Sequence, residues 1–304
     1  MRVHGDTWDI MTSVGSRALF VAAARALEAG KPTPLAVDRY AEAFCRAAGG
    51  EWEALLEGAA PDHKLLTAEF GQHFVNYQGA RTQYFDTAAN RAIETGVRQV
   101  VIPASGLDSR AYRLNWNPDT VLFELDQPLV HEFKSRVLAN QTASLRVARR
   151  EISVDLRDDW ESALGSHGFD PTQPTLWVVE GLSMYLPGRA LSQLYAAISR
   201  LSAVGSLAAI EQLATHPDML LDRMIADATD RGDTGELEFL SLIYNQPRDE
   251  AATWFRCHGW QAQRTELLDL LHANGRSTPP VGGHAWFMFS ALSLVTAVKA
   301  ENPA

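Results

Sequence analysis

Gln99-Val100-Val101-Ile102-Pro103-Ala104-Ser105-Gly106-Leu107-Asp108, followed by Thr120-Val121-Leu122-Phe123-Glu124-Leu125-Asp126, decides the fold. Gln99 to Pro103 is a short, mostly apolar run of the kind that forms a buried parallel strand. Gly106 breaks it before a helix-like segment from Asp108 to Leu114. Thr120 to Leu125 is a second such strand, with Asp126 at its carboxyl end. Twenty residues separate Gly106 from Asp126, close to the ~20 expected between a nucleotide-binding glycine turn and the acid that grips ribose hydroxyls. The expected ligand therefore carries a ribose.

A dinucleotide site would offer three glycines in the turn, so that backbone amides cradle a pyrophosphate; Ala104 to Ser109 contains one. Asp108 stands where the helix would begin, and a carboxylate there occupies the positive end of the helix dipole and repels phosphate. A nucleoside without phosphates is expected. Acids at successive strand ends suit a cationic one, and S-adenosylmethionine, a sulfonium, meets that description.

Five stretches carry a family resemblance: Arg81-Thr82-Gln83-Tyr84-Phe85-Asp86, Ala104 to Leu114, Phe123-Glu124-Leu125-Asp126-Gln127-Pro128, Val154-Asp155-Leu156, and Glu180-Gly181-Leu182-Ser183-Met184-Tyr185-Leu186. With Val14-Gly15 and Arg25 to Glu28, they resemble the leucine carboxyl methyltransferase family, and within it an actinobacterial branch of S-adenosylmethionine-dependent methyltransferases. The resemblance runs to about Leu213 and thins beyond it. It implies a class I methyltransferase fold, Rossmann-like: a doubly wound, seven-stranded, mostly parallel sheet with helical caps.

With 304 residues, 46% of them hydrophobic and 21% charged, the chain has an ordinary globular composition. A net charge of −10 argues against a general nucleic-acid binder, which needs a basic surface. Cys45 and Cys257 have neither metal-like nor redox-pair spacing, and reduced thiols are expected. Met1 to Asp9 shows no basic-then-apolar pattern and no apolar run reaches ~18 residues, so a cytoplasmic protein without a membrane span is expected.

The first ninety-odd residues pattern as helices. Trp8 and Ile10 pack back from a polar lead, and Thr12 or Ser13 caps a helix to Ala29. Further helices are expected over Asp38 to Ala48, Trp52 to Leu56 and Lys64 to about Ala92. From Gln99 strands and helices alternate, which predicts a parallel sheet covered on both faces. Strands are expected within Leu145 to Val154, at Leu176 to Val179, Leu207 to Ile210, Trp260 to Arg264 and Ser290 to Val298. Helices are expected over Pro128 to Asn140, from an Asp158 cap to Leu164, over Arg189 to Leu201 and over Arg248 to His258. His216 to Ile243 should form two helices split at Gly232 to Gly235. The organisation is thus a helical cap over 1–95 and a sheet domain over 96–304, with a lid insertion at about 214–246, all one unit.

Asp126 can accept from two adjacent ribose hydroxyls at once; it also suits a cap for the helix after it. Gly106 permits close backbone approach, or is an ordinary turn glycine. Asp155 and Leu156 follow the third strand, where in such enzymes a carboxylate takes the adenine amine and a backbone amide meets a ring nitrogen. A solvated charged turn around Arg157 fits the same residues equally. Glu180 needs a partner: the cofactor's amino or sulfonium side, which the resemblance also implies, or a nearby arginine. The resemblance gives Arg81 the cofactor's methionyl carboxylate. Tyr185, Tyr112, Arg110 and Arg113 are candidates to face the acceptor, and no metal site is expected.

The expected reaction is methyl transfer to an oxygen, foremost a carboxylate of a small molecule or protein. Such an acceptor is already ionised and needs no general base, in keeping with a sequence that presents none. A nicotinamide-dependent oxidoreductase and a non-catalytic S-adenosylmethionine-binding module are the alternatives.

Overall fold

The computed structural model describes residues 13–141 and 144–301. The expectations for Trp8, Ile10 and Thr12 lie outside them. Before the sheet come α1 (Ser13–Ala29), α2 (Ala41–Ala48), α3 (Gly50–Leu56) and the long α4 (Gly71–Glu94). The continuous helix expected from Lys64 is interrupted: Lys64–Leu66 forms a separate turn, and the Thr67 hydroxyl accepts from the Gly71 amide to start α4 afresh.

Alternation follows: β1 (Gln99–Pro103), α5 (Arg110–Arg113), β2 (Val121–Asp126), α6 (Pro128–Ala139), β3 (Ala148–Ser153), α7 (Trp160–Ser166), β4 (Thr175–Val179), α8 (Gly188–Arg200) and β5 (Leu207–Leu213). α5 is shorter than the Asp108 to Leu114 segment expected, because Asp108 turns its carboxylate onto the Arg110 amide and guanidinium instead of joining the helix. α7 is capped by Asp159, which accepts from the Ser162 amide, rather than by Asp158. The insertion forms α9 (Asp218–Asp230) and α10 (Thr234–Leu242), and α11 (Ala251–Cys257) leads to β6 (Trp260–Glu266). Two helices not expected from sequence, α12 (Leu267–Ala273) and α13 (His284–Ser290), precede β7 (Leu292–Lys299).

The seven strands lie in the order β3-β2-β1-β4-β5-β7-β6. All pairs from β3 to β5 are parallel; β7 runs antiparallel between β5 and β6, with Leu207 opposite Val298. Strand residues alternate between two cores, and β1, β4 and β5 are buried throughout, β5 with Glu211 and Gln212 at its carboxyl end. Val100 and Ile102 face α1, α4 and α6, while Val101 packs with Trp177 and Val179 against α7, α8 and α11. A third cluster, including Tyr77, Met184, Leu213 and Phe289, joins α4 to the carboxyl ends of the strands. The strand order reverses between β1 and β4, and β1 opens a crevice there.

Among the described residues no helix is long and apolar enough to cross a membrane. Cys45 is a buried free thiol, pushed up to about 12 by burial, and Cys257 is free and exposed.

Candidate active site

Residues just past the carboxyl ends of β1 to β4 line a cavity of about 1360 Å³. This exceeds the ~300–1,000 Å³ usual for one small-molecule ligand, so there is room for two. α4 lines it, as do α9 and α10.

At β1 the chain turns through two left-handed residues, Ala104 at φ 52° and Gly106 at φ 49°. For alanine that conformation costs on the order of 1 kcal/mol. The turn aims the Gly106 amide at Asp126 Oδ2, 2.6 Å away, while Asp126 Oδ1 accepts from the Gln127 amide at 2.7 Å. Burial raises the Asp126 pKa above its ordinary value, and the two amides oppose that rise. Each carboxylate oxygen keeps a lone pair for a further donor.

Asp155 and Leu156 both line the cavity beyond β3. Asp155 is held by the Arg157 backbone amide and guanidinium and by Gln127 Nε2 at 3.0 Å. Hydrogen bonds from Arg157, more than any other influence, lower its pKa. Both sequence readings thus meet here: a charged turn, placed on the cavity wall.

Glu180 joins two arginines, with Arg81 Nε at 3.0 Å from Oε1 and Arg110 Nη1 at 2.8 Å from Oε2. Arg81 Nη1 also reaches Glu211 Oε2 at 3.1 Å, and the Tyr77 hydroxyl donates to Glu211 Oε1. Gly181, left-handed at φ 66°, turns its amide onto Glu211 Oε2 at 2.7 Å. Burial works against the charge on Arg81, but Glu211, Tyr77 and Glu180 outweigh it and raise its pKa. The Tyr77 hydroxyl is held protonated, by burial first and then by Glu211. Arg81 lines the cavity, and its buried Nε has no partner of hydrogen-bond geometry among the described residues, only the ion contact with Glu180.

Of the acceptor-side candidates, only Tyr185 lines the cavity. Tyr112 does not: it is buried with its ring against Tyr40, and its hydroxyl accepts from Arg149. Arg110 and Arg113 are likewise turned inward, onto Asp108, Asp86 and Ser109. Sequence reasoning missed Glu211, because the strand was expected to stop at the apolar Ile210. It also missed Gln78 and His216, which line the cavity from α4 and from the chain after β5. An α4 stripe at helical spacing (Phe74, Tyr77, Gln78, Arg81) was the signal available for Gln78.

The residues fit a cationic nucleoside amino acid. A twofold acceptor stands at the β2 end, further acids follow at β3 and β4, and the Arg81 guanidinium lines the cavity beside them. Ser105 Oγ and both amide atoms of Gln78 are buried beside the cavity without a hydrogen-bond partner among the described residues. Buried polar groups of that kind call for a ligand or water. No group of three or more His, Cys, Asp or Glu among the described residues is placed to hold a metal.

Comparison with known proteins agrees. The family described as leucine carboxyl methyltransferase matches residues 18–199. A protein of Mycobacteroides abscessus named "Putative S-adenosyl-L-methionine-dependent methyltransferase" is 58% identical over 299 residues, covering 98% of this chain and all of that one. One of the same name from Mycobacterium tuberculosis H37Ra is 51% identical over 301 residues, again covering 98% and 100%. Among solved structures, that described as "a putative methyltransferase from Thermobifida fusca YX" superposes with a TM-score of 0.54 at 16% identity, covering 86% of this chain and 94% of that one. It shares the fold.

Proposed function

This chain belongs to the leucine carboxyl methyltransferase family and is an S-adenosylmethionine-dependent methyltransferase, and from that premise we propose that it methylates a carboxylate oxygen. One observation carries the proposal: the acids at the strand ends are committed. Glu180 is bound to Arg81 and Arg110, and Glu211 to Tyr77, Arg81 and the Gly181 amide, while the Tyr77 proton is held fast. None of these is poised to take a proton from a hydroxyl acceptor. A carboxylate, ionised at neutral pH, asks for none.

In this reading Asp126 accepts from the ribose hydroxyls and the Gly106 turn lets backbone approach the sugar. Asp155 and the Leu156 amide receive the adenine. Arg81 offers its guanidinium to the methionyl carboxylate, and Glu180 faces the amino group. Bound there, S-adenosylmethionine supplies a methyl group on a sulfonium whose departure leaves a neutral thioether. The protein's part is to align the acceptor in line and to exclude water, which the cap and the α9–α10 lid do by closing the chamber.

A second reading has a specific observation behind it. His216 is buried at the cavity wall, and its pKa is lowered by burial and then by Arg248, so a neutral imidazole is available as base for a hydroxyl acceptor. The two readings separate in one experiment. With methyl-labelled cofactor and matched acids and alcohols, a carboxylate acceptor gives base-labile label as an ester and survives His216→Ala. Base-stable label that His216→Ala abolishes would overturn the carboxylate reading.

A further inference from the structure

Beyond the strand ends the cavity continues into a chamber with aromatic walls. On the cap side Phe20 lies 4.9 Å from Phe74 and 6.3 Å from Trp52, ring centre to ring centre, and Phe70 stacks 5.5 Å from Phe74. Phe239 and Ile243 of the lid line the other side. α4 runs along the whole length: from Arg81 at Glu180 to Phe70 is about 16 Å at ~1.5 Å per residue.

Lys64 and Arg17 at this chamber are engaged by the α9–α10 side, while the exposed Glu51 and Asp62 also line the cavity. Lys64 pairs with Asp233 at 2.6 Å and Glu236 at 3.1 Å; Arg17 donates to the Gly235 carbonyl at 2.6 Å and lies 3.7 Å from Glu238. Each contact joins the cap to the lid. His63, among the rings, has its pKa lowered by burial, and its Nδ1 already accepts from the Leu65 amide.

We propose that the acceptor is a small carboxylic acid with an elongated apolar tail, its carboxylate at the strand ends and its tail along α4 between Phe74 and Phe239. The reacting end rests on the carboxylate reading above; the tail rests on the chamber alone. An apolar tail is rewarded there by burial, at about 25 cal/mol per Å² of surface removed from water. A protein's terminal peptide would bring several amide groups, and beyond the orphaned Gln78 amide the rings of Phe20, Phe70 and Phe74 offer them no partner, at a cost of roughly 1–3 kcal/mol each. The lid fastened by Lys64 and Arg17 also bars a folded partner from the chamber.

The test is calorimetry of the full chain with straight-chain and aryl-terminated acids of increasing length, in the presence of S-adenosylhomocysteine. Affinity should rise about fourfold per added methylene and level off when the chamber is filled. Val21→Trp, which fills the chamber from α1, should move that plateau to shorter tails while cofactor affinity stays unchanged, so misfolding is distinguished from shortening. Affinity independent of tail length, or a plateau that Val21→Trp does not move, would overturn the proposal. Methylation of the alcohol series with the same length dependence would instead refute the carboxylate reading and leave the chamber's preference standing.

Discussion

The Gly106 amide donates to Asp126 Oδ2 at 2.6 Å, so the turn after the first strand and the acid closing the second are one unit. The carboxylate is held in a fixed orientation by backbone before any ligand arrives. Asp126→Ala removes both acceptors proposed for the ribose, worth about 1.5–3 kcal/mol for each bond to a charged group. Cofactor affinity should fall at least a hundredfold with the fold intact, as calorimetry and circular dichroism would show. Unchanged affinity would place the ribose elsewhere.

Arg81 sits between Glu180 and Glu211, and its loss strands buried acids. Removing one partner of a buried pair costs roughly 3–5 kcal/mol. For a domain of this size Arg81→Met should therefore lower the melting temperature by about 10 °C. Adding Glu211→Gln should recover part of it. A single variant that melts like the parent shows that the network carries no stability.

Asp108 is expected to govern part of the acid limb. Burial pushes its pKa up, but Arg110, Lys134 and Arg113 outweigh that and bring it from 3.8 to about 2. Because the folded value is depressed, the stabilisation is complete above pH ~4 and is lost as pH falls toward ~2; it amounts to about 2 kcal/mol. Asp108→Asn should lose that amount at neutral pH in urea unfolding, with the gap closing as the acid limb is crossed. A gap that stays constant with pH contradicts this assignment.

The cap-to-lid contacts of Lys64 are partly exposed, so each is worth ~0.2–1 kcal/mol. Lys64→Met should speed amide exchange in α10 about two- to fivefold, and high salt should produce a similar effect in the parent. Equal exchange in both proteins at low salt would show that the Lys64 contacts do not hold the lid.

The sheet was legible because its strands are apolar runs, Gln99 to Pro103 and Leu176 to Val179 among them, and because Gly106 and Asp126 stand at a spacing that has a physical cause. What was not legible depends on partners distant in sequence. Glu211 is tolerable in a buried strand because Arg81 and Tyr77 meet it from α4 and the Gly181 amide from the end of β4. Tyr112 resembled an acceptor-side residue until Tyr40 and Arg149 covered it. The helices α12 and α13 have no side-chain cap bond, and each is seven residues long, too short for periodicity to show.

One consequence follows from β7 lying between β5 and β6. On the ribosome, β5 is complete when Leu213 is added, but its outer neighbour does not exist until Leu292 and the residues after it are made. At ~5–20 residues per second that delay is on the order of ten seconds. Throughout it the nascent chain displays an unzipped apolar edge, ready to seize another strand. The growing polypeptide is thus most in need of a chaperone during synthesis of the segment from the lid to α13.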